Sequence, residues 1–192
     1  LNGLVEAQQK IGLPYRTLRE GDALVEGERV RTSDGARVRI RYADKSMFTM
    51  GENGSMMIEE FSRGRGPRQA GFTTRVLKGT FRFVSGLIAR RSPSSVRVRL
   101  SVATIGIRGT HFAGEVTETS AKVVLLENEE DTDRKSAIQV ANQYGSVVVD
   151  QAGYGTEVPD QFSPPSPVRK IQLRSIRQVL RTMRSNRRVM TR

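Results

Sequence analysis

The feature that most constrains this chain is a two-residue alternation of apolar side chains with arginine. Val38, Ile40 and Tyr42 alternate with Arg37, Arg39 and Arg41, and Val96, Val98 and Leu100 alternate with Arg97 and Arg99. Successive side chains of a strand point to opposite faces, so this spacing gathers the apolar groups on one face and the guanidinium groups on the other. Phe81 and Phe83 likewise oppose Arg82 and Val84. Turn signals break the pattern at Ser33-Asp34-Gly35, Ala43-Asp44-Lys45, Glu52-Asn53-Gly54 and Gln143-Tyr144-Gly145. Short β-branched and aromatic runs separated in this way predict an all-β body. Its expected strands are Ala23–Arg31, Ala36–Tyr42, Ser46–Met50, Met56–Phe61, Thr74–Leu77, Thr80–Val84, Val96–Leu100, His111–Glu118, Lys122–Glu127, Ser136–Val140, Ser146–Asp150 and Tyr154–Val158.

The pattern ends at a segment with four prolines, Pro159, Pro164, Pro165 and Pro167. Proline lacks an N–H for a sheet ladder, so residues 159–167 are expected to form a stiff extended linker. Beyond it the period changes. Leu173, Ile176, Leu180, Met183 and Met190 form a helical apolar stripe beside an arginine ridge of Arg174, Arg177, Arg181, Arg184 and Arg188. The prediction is a basic amphipathic helix.

Charge follows the same division. The 192 residues hold 32 Lys+Arg and 20 Asp+Glu, a net of +12. Residues 168–192 carry nine basic groups and no acidic one, so the rest of the chain is only +3. The body is nearly balanced and the excess belongs to the tail. There is no Cys, which excludes disulfides, thiolate chemistry and Cys–Zn sites, and there is one His, His111. No run approaches the ~20 apolar residues of a membrane span.

Several residue blocks together resemble the FecR-type domain. They are Gly21-Asp22 through Gly27, Val30 to Thr32, Ala36 to Ser46, and Gly51 to Asn53. They continue with Leu77-Lys78-Gly79, Ala103-Thr104-Ile105-Gly106-Ile107-Arg108-Gly109-Thr110-His111-Phe112, Val123 to Glu127, Tyr144-Gly145 and Gly153 to Thr156. The resemblance spans about residues 18–160, and its most specific part is the Gly-Ile-Arg-Gly-Thr-x-Phe block. Two departures stand out: the family's Asp-Gly-Ser is Asp44-Lys45-Ser46, and its late Gly is Asn128, followed by the acidic run Glu129, Glu130, Asp131 and Asp133. The resemblance implies an exported bacterial β domain in the periplasm or on the cell surface, with a non-enzymatic role in protein contact or signal reception. No anti-sigma helical segment or membrane span precedes the domain in this sequence. The expectation is therefore the exported domain alone, its signal peptide removed or lying outside the chain that begins at Leu1.

Each motif has a plain structural reading beside a functional one. Gly106, Arg108, Gly109, Thr110 and Phe112 are the family motif and are read as structural, with Gly109 supplying an unusual φ or a close approach. Arg108 could take an external carboxylate, or tie loop carbonyls or an acid such as Asp44. His111 has no nucleophile-elbow serine to activate, so no catalytic residue is assigned. The acidic run lacks EF-hand spacing and its glycine, so no metal site is assigned. No cofactor is expected. Arg29 and Arg31 precede the Ser33-Asp34-Gly35 turn, and Arg37, Arg39 and Arg41 follow it. Paired as a hairpin, these strands would converge five like charges on one face. Internal carboxylates Glu26, Glu28, Glu59 and Glu60 could neutralise that face, or a partner could use it.

The predicted fold class is therefore all-β, an elongated, layered or solenoid-like antiparallel or mixed domain with a C-terminal basic amphipathic helix. The domain plan is a lead-in over 1–17, the β domain over 18–158, the Pro-rich linker over 159–167 and the helix over 168–192. The predicted function is a scaffold that docks onto a larger envelope assembly. Leu173, Arg174, Ile176, Arg177, Leu180, Arg181, Met183, Arg184 and Arg188 are the candidate partner-binding residues. Expected partners are other envelope proteins, including a second copy of the chain, with an anionic membrane surface as an alternative and no small-molecule substrate. A signal-receiving domain is a further alternative. Nucleic acid is disfavoured because no aromatic residue interleaves with the tail arginines.

Overall fold

A computed structural model of the chain describes residues 1–62, 71–88, 95–109, 111–127 and 136–171. All fifteen regular elements bounded within them are strands. They are β1 (Val5–Gln8), β2 (Arg16–Thr17), β3 (Arg29–Thr32), β4 (Val38–Arg41), β5 (Met47–Met50), β6 (Ser55–Ser62) and β7 (Gly71–Val84). Then follow β8 (Val96–Arg99), β9 (Thr104–Arg108), β10 (His111–Val116), β11 (Ala121–Leu126), β12 (Ala137–Asn142), β13 (Gly145–Val149), β14 (Tyr154–Val158) and β15 (Arg169–Lys170).

The fourteen-residue β7 organises them. Its first part pairs with β6 antiparallel and with β8 in parallel, Phe72 opposite Val96. Its last part pairs with β5 and β10, so that Phe83 faces Phe48 on one side and Phe112 on the other. One strand thus belongs to two sheets. The first runs β2-β1-β3-β6-β7-β8-β9-β12-β13 and the second β4-β5-β7-β10-β11-β14-β15. Gly79 marks the crossover. The sequence predicts a break there; the chain instead bends through it with φ +105°, and a Cβ at this position would lie 2.6 Å from Cα of Gly54. Only glycine combines that φ with that approach.

The buried faces of both sheets enclose a common core. Val30, Met56, Val76, Ile105 and Val140 come from the first sheet, and Phe48, Phe81, Phe83, Phe112 and Val123 from the second. Phe81 meets Phe112 edge-on at 5.9 Å, Phe112 meets Phe83 at 5.4 Å, and Phe83 meets Phe72 at 5.7 Å. Each fully buried ring contributes about 2–3 kcal/mol over an exposed one. The arginine alternation is realised: β4 and β8 bury every second residue and expose the arginines between.

Two expectations are corrected. The strands flanking Ser33-Asp34-Gly35 do not form a hairpin: β3 pairs with β1 and β6 in the first sheet, while β4 pairs with β5 in the second. The chain crosses between layers at this turn because both strands must bury an apolar face on the shared core. The basic helix does not begin at residue 168, since Arg169 and Lys170 are β15, paired with Gly155 and Tyr154 of β14. Between β14 and β15 the Pro-rich segment folds back on the body. Ser166 N–H donates to the Glu157 carbonyl at 2.8 Å, Thr156 Oγ1 donates to the Ser166 carbonyl at 2.6 Å, and Pro165 is buried.

Candidate partner-binding cleft

Carboxylates from neighbouring strands engage many of the strand arginines. Glu59 on β6 pairs with Arg75 and reaches Arg99 at 3.3 Å, bridging two guanidinium groups that sit side by side on β7 and β8. Glu157 holds Lys122 at 3.4 Å and Arg169 at 2.7 Å. Arg31 pairs with Glu6 on β1 at 2.8 Å and lies over the Tyr15 ring at 3.6 Å. The hydrogen bond to Glu6 is the main cause that raises the Arg31 pKa. Arg29 donates to Ser55 Oγ at 3.0 Å. Arg29 and Arg31 are thereby tied into the first sheet.

Arg37, Arg39 and Arg41 are placed elsewhere, and the five residues do not converge. These three line one wall of an open cleft of about 1400 Å³. The wall is β4, an edge strand paired only with β5 among the described strands. The segment 18–26 also lines the cleft, with the apolar residues Leu18, Leu24 and Val25 beside Glu20, Asp22 and Glu26. That segment is fastened by Glu28, a carboxylate only 3% exposed. Glu28 accepts the Val25 N–H at 2.8 Å and an Arg16 N–H at 2.9 Å. Asp22 accepts the Arg19 N–H at 2.8 Å and lies 3.6 Å from Arg16.

At Tyr42 the cleft lining is tied to the first sheet. The Tyr42 hydroxyl lies 2.6 Å from Thr74 Oγ1 of the first sheet, and its ring stacks on Phe72 at 4.6 Å. Burial raises the pKa of this phenol, against the lowering effect of the Thr74 hydrogen bond. The neutral side chain therefore serves as a tether between layers. Next to it, buried Asp44 accepts from the Ser46 N–H at 2.9 Å and the Ser46 hydroxyl at 2.8 Å, and Ser46 Oγ accepts the Gly86 N–H at 2.8 Å. Lys45 between them has φ +70°.

The family motif is placed as structure. Phe112 is fully buried among Phe81 and Phe83. Gly109 has φ +50°, and a Cβ built there would find nothing within 4 Å, so the cost of any side chain lies in the turn geometry rather than in a clash. Arg108 is exposed at the end of β9, and Asp44 is bound by Ser46. Gly106 lies within β9, where a Cβ would meet only Gln139 at 4.0 Å. His111 is 8% exposed at the start of β10. Thr110, the acidic run at 129–133, and Leu173, Arg174, Ile176, Arg177, Leu180, Arg181, Met183, Arg184 and Arg188 lie outside the described residues. Among the described residues there is no group of three or more acidic or imidazole side chains placed to hold a metal ion, and no helix long and apolar enough to cross a membrane.

The described residues form a two-layer all-β domain with one strand shared by both sheets and a polar cleft lined by β4. The chain belongs to the FecR protein family, whose model matches residues 28–129, more than half of its length. FecR-type proteins are envelope-associated regulators. Two crystal structures of a candidate anti-sigma factor from Parabacteroides distasonis share the fold, each with TM-score 0.58 and 10% sequence identity over 79% of this chain. The chain spans 64% and 63% of those two structures. No curated protein matches the sequence.

Proposed function

We propose that this chain is a periplasmic, signal-receiving interaction module that works by binding another envelope protein rather than by catalysis. The β body is the scaffold, and the arginine-rich segment after Ile171 docks it onto a larger assembly through the apolar stripe and its guanidinium ridge. The observation that carries this reading is the partition of charge. Carboxylates of the β body hold Arg16, Arg31, Arg75, Arg99 and Arg169, whereas residues 172–192 contain no acidic residue. Family membership and the shared fold of a candidate anti-sigma factor favour a regulatory role for such a contact.

The test is a truncation. Because β15 and Ile171 pack on the body, the cut belongs after Ile171 and not at Pro167. The 1–171 chain is expected to fold and to lose the envelope proteins that co-purify with the full chain. Retention of the full set of partners would sink the docking role of the tail. Flotation with anionic vesicles separates the membrane alternative: binding that needs anionic lipid and no protein would favour it.

A further inference from the structure

We infer that residues 172–192 rest on the outer face of the second sheet, their apolar stripe over Ala113, Val124 and Leu126, so that a partner must displace the chain's own sheet to reach the tail. The inference rests on the tail-docking reading above and adds its regulation.

The register defines that face. Ala113 is opposite Arg82 of β7 and Val124 of β11, and His111 is opposite Val84 and Leu126. These residues alternate with Phe81, Phe83, Phe112, Val123 and Leu125, which enter the common core, so they point the other way. A face directed away from the core of a two-layer domain is ordinarily wet. Here Ala113 is 0% exposed and Val124 4%, and four consecutive residues of β10, His111 to Gly114, are buried. A strand buried on both faces is covered on both sides. The first sheet is one cover. On the other side, the described apolar side chains packed on Ala113 and Val124 are Leu126, a neighbour in the sheet, and Ile171.

The sequence identifies the second cover by elimination. Residues 63–70, 89–94, 110 and 128–135 hold no apolar side chain larger than alanine or proline. Residues 172–192 hold Leu173, Ile176, Leu180 and Met183 at helical spacing. They follow directly on Ile171, whose N–H donates to the Gly153 carbonyl at 3.2 Å beside this patch. As a helix, Leu173 to Met183 extend about 15 Å. The six residues of β10 or of β11 extend about 17 Å, so the lengths match. Charge agrees with the placement. Glu115 lies on this face opposite Lys122, and its Oε1 is buried with no hydrogen-bond partner among the described residues. Such an acceptor suits a guanidinium group of the arginine ridge. Arg39 and Arg82, each opposite Thr49, make the β4–β7 side of the face cationic, which directs the ridge to β10 and β11.

The chain contains no tryptophan, so Leu180→Trp places a single indole in the stripe. In the purified full chain its emission is expected to be blue-shifted, and its quenching by acrylamide several-fold weaker than in the urea-unfolded chain, both unchanged on dilution. Adding Val124→Lys on the sheet, or Ile176→Lys on the stripe, is expected to remove the blue shift and the protection. The second of these leaves the β body untouched, and circular dichroism checks that the first still folds. Val148→Lys, on an exposed residue of the first sheet, is expected to change neither signal. A water-exposed indole in the full chain would overturn the proposal, as would protection that survives both lysine substitutions or is lost equally with Val148→Lys. Protection that disappears on dilution would also overturn it, since a second copy would then be the cover. The measurement uses the purified chain alone, so its failure is separate from that of the co-purification that tests docking to a partner.

Discussion

Arg16 Nη2 lies 2.9 Å from Oε1 of Glu28, and this bond across the cleft-lining segment engages a carboxylate that the fold has almost wholly removed from water. The other Glu28 oxygen takes the Val25 N–H, so one side chain fastens both ends of residues 16–28. Glu28→Ala removes a charge-assisted pair and leaves the Val25 N–H without its acceptor. The expected cost is about 2 kcal/mol, read by urea denaturation. Arg16→Ala leaves the buried carboxylate without its cation and should cost a similar amount.

Gly79→Ala is expected to be among the most damaging single changes. The φ of +105° is foreign to alanine, and the new methyl would press on the Gly54 backbone at 2.6 Å. Backbone strain and overpacking together predict a loss of about 3 kcal/mol or more, measured as a fall in the denaturation midpoint.

Lys45→Gly should do the opposite. Lys45 occupies the left-handed region at φ +70°, in the position where the family carries glycine. Glycine adopts this conformation without the Cβ clash, and a gain of about 0.5–1 kcal/mol is expected in the same assay.

The motif predicts a split outcome. Phe112→Ala empties a site between Phe81 and Phe83 and should cost about 3–5 kcal/mol. Arg108→Ala removes an exposed side chain and should change stability by less than about 0.5 kcal/mol. A large loss for Arg108→Ala would show that its guanidinium holds the fold.

Asp160 gives a pH dependence. It accepts the Ser163 hydroxyl at 2.8 Å and the Phe162 N–H at 2.7 Å, and these bonds, the Ser163 hydroxyl first, hold its pKa below the ordinary value. A carboxyl with a lower pKa folded than unfolded adds stability above its unfolded pKa, and that contribution disappears as pH falls through the folded value. The Pro-rich segment should therefore keep its contacts at neutral pH and loosen only below about pH 4. The Phe162 amide chemical shift reports this, and Asp160→Asn should abolish the acid transition.

Much of this architecture is local in origin and legible in the residues. Val38, Ile40 and Tyr42 against Arg37, Arg39 and Arg41 specify a strand with one buried face, and β4 is that strand. Other elements lacked a local signal. β9 is absent from the expected strands because Gly106 at its centre weakens the strand signal, although Ile105 and Ile107 alternate as strand residues do. β1, β2 and β15 are short pieces whose existence depends on a distant edge to pair with. β7 reads as two strands because Gly79 interrupts the pattern, while the layers on either side carry the chain through it.

The sequence by itself determined which residues turn inward, because a period of two acts between neighbours and needs no knowledge of the rest of the chain. It also set the division of charge between a balanced body and a basic tail. Only the tertiary structure decided which strands lie side by side. Pairing depends on closing one core between two sheets, and that sends β3 to one layer and β4 to the other across a five-residue connection. The same arginine alternation consequently has two fates. Arg31 lies beside Glu6 and is neutralised, while Arg39 and Arg41 are exposed and line a cleft.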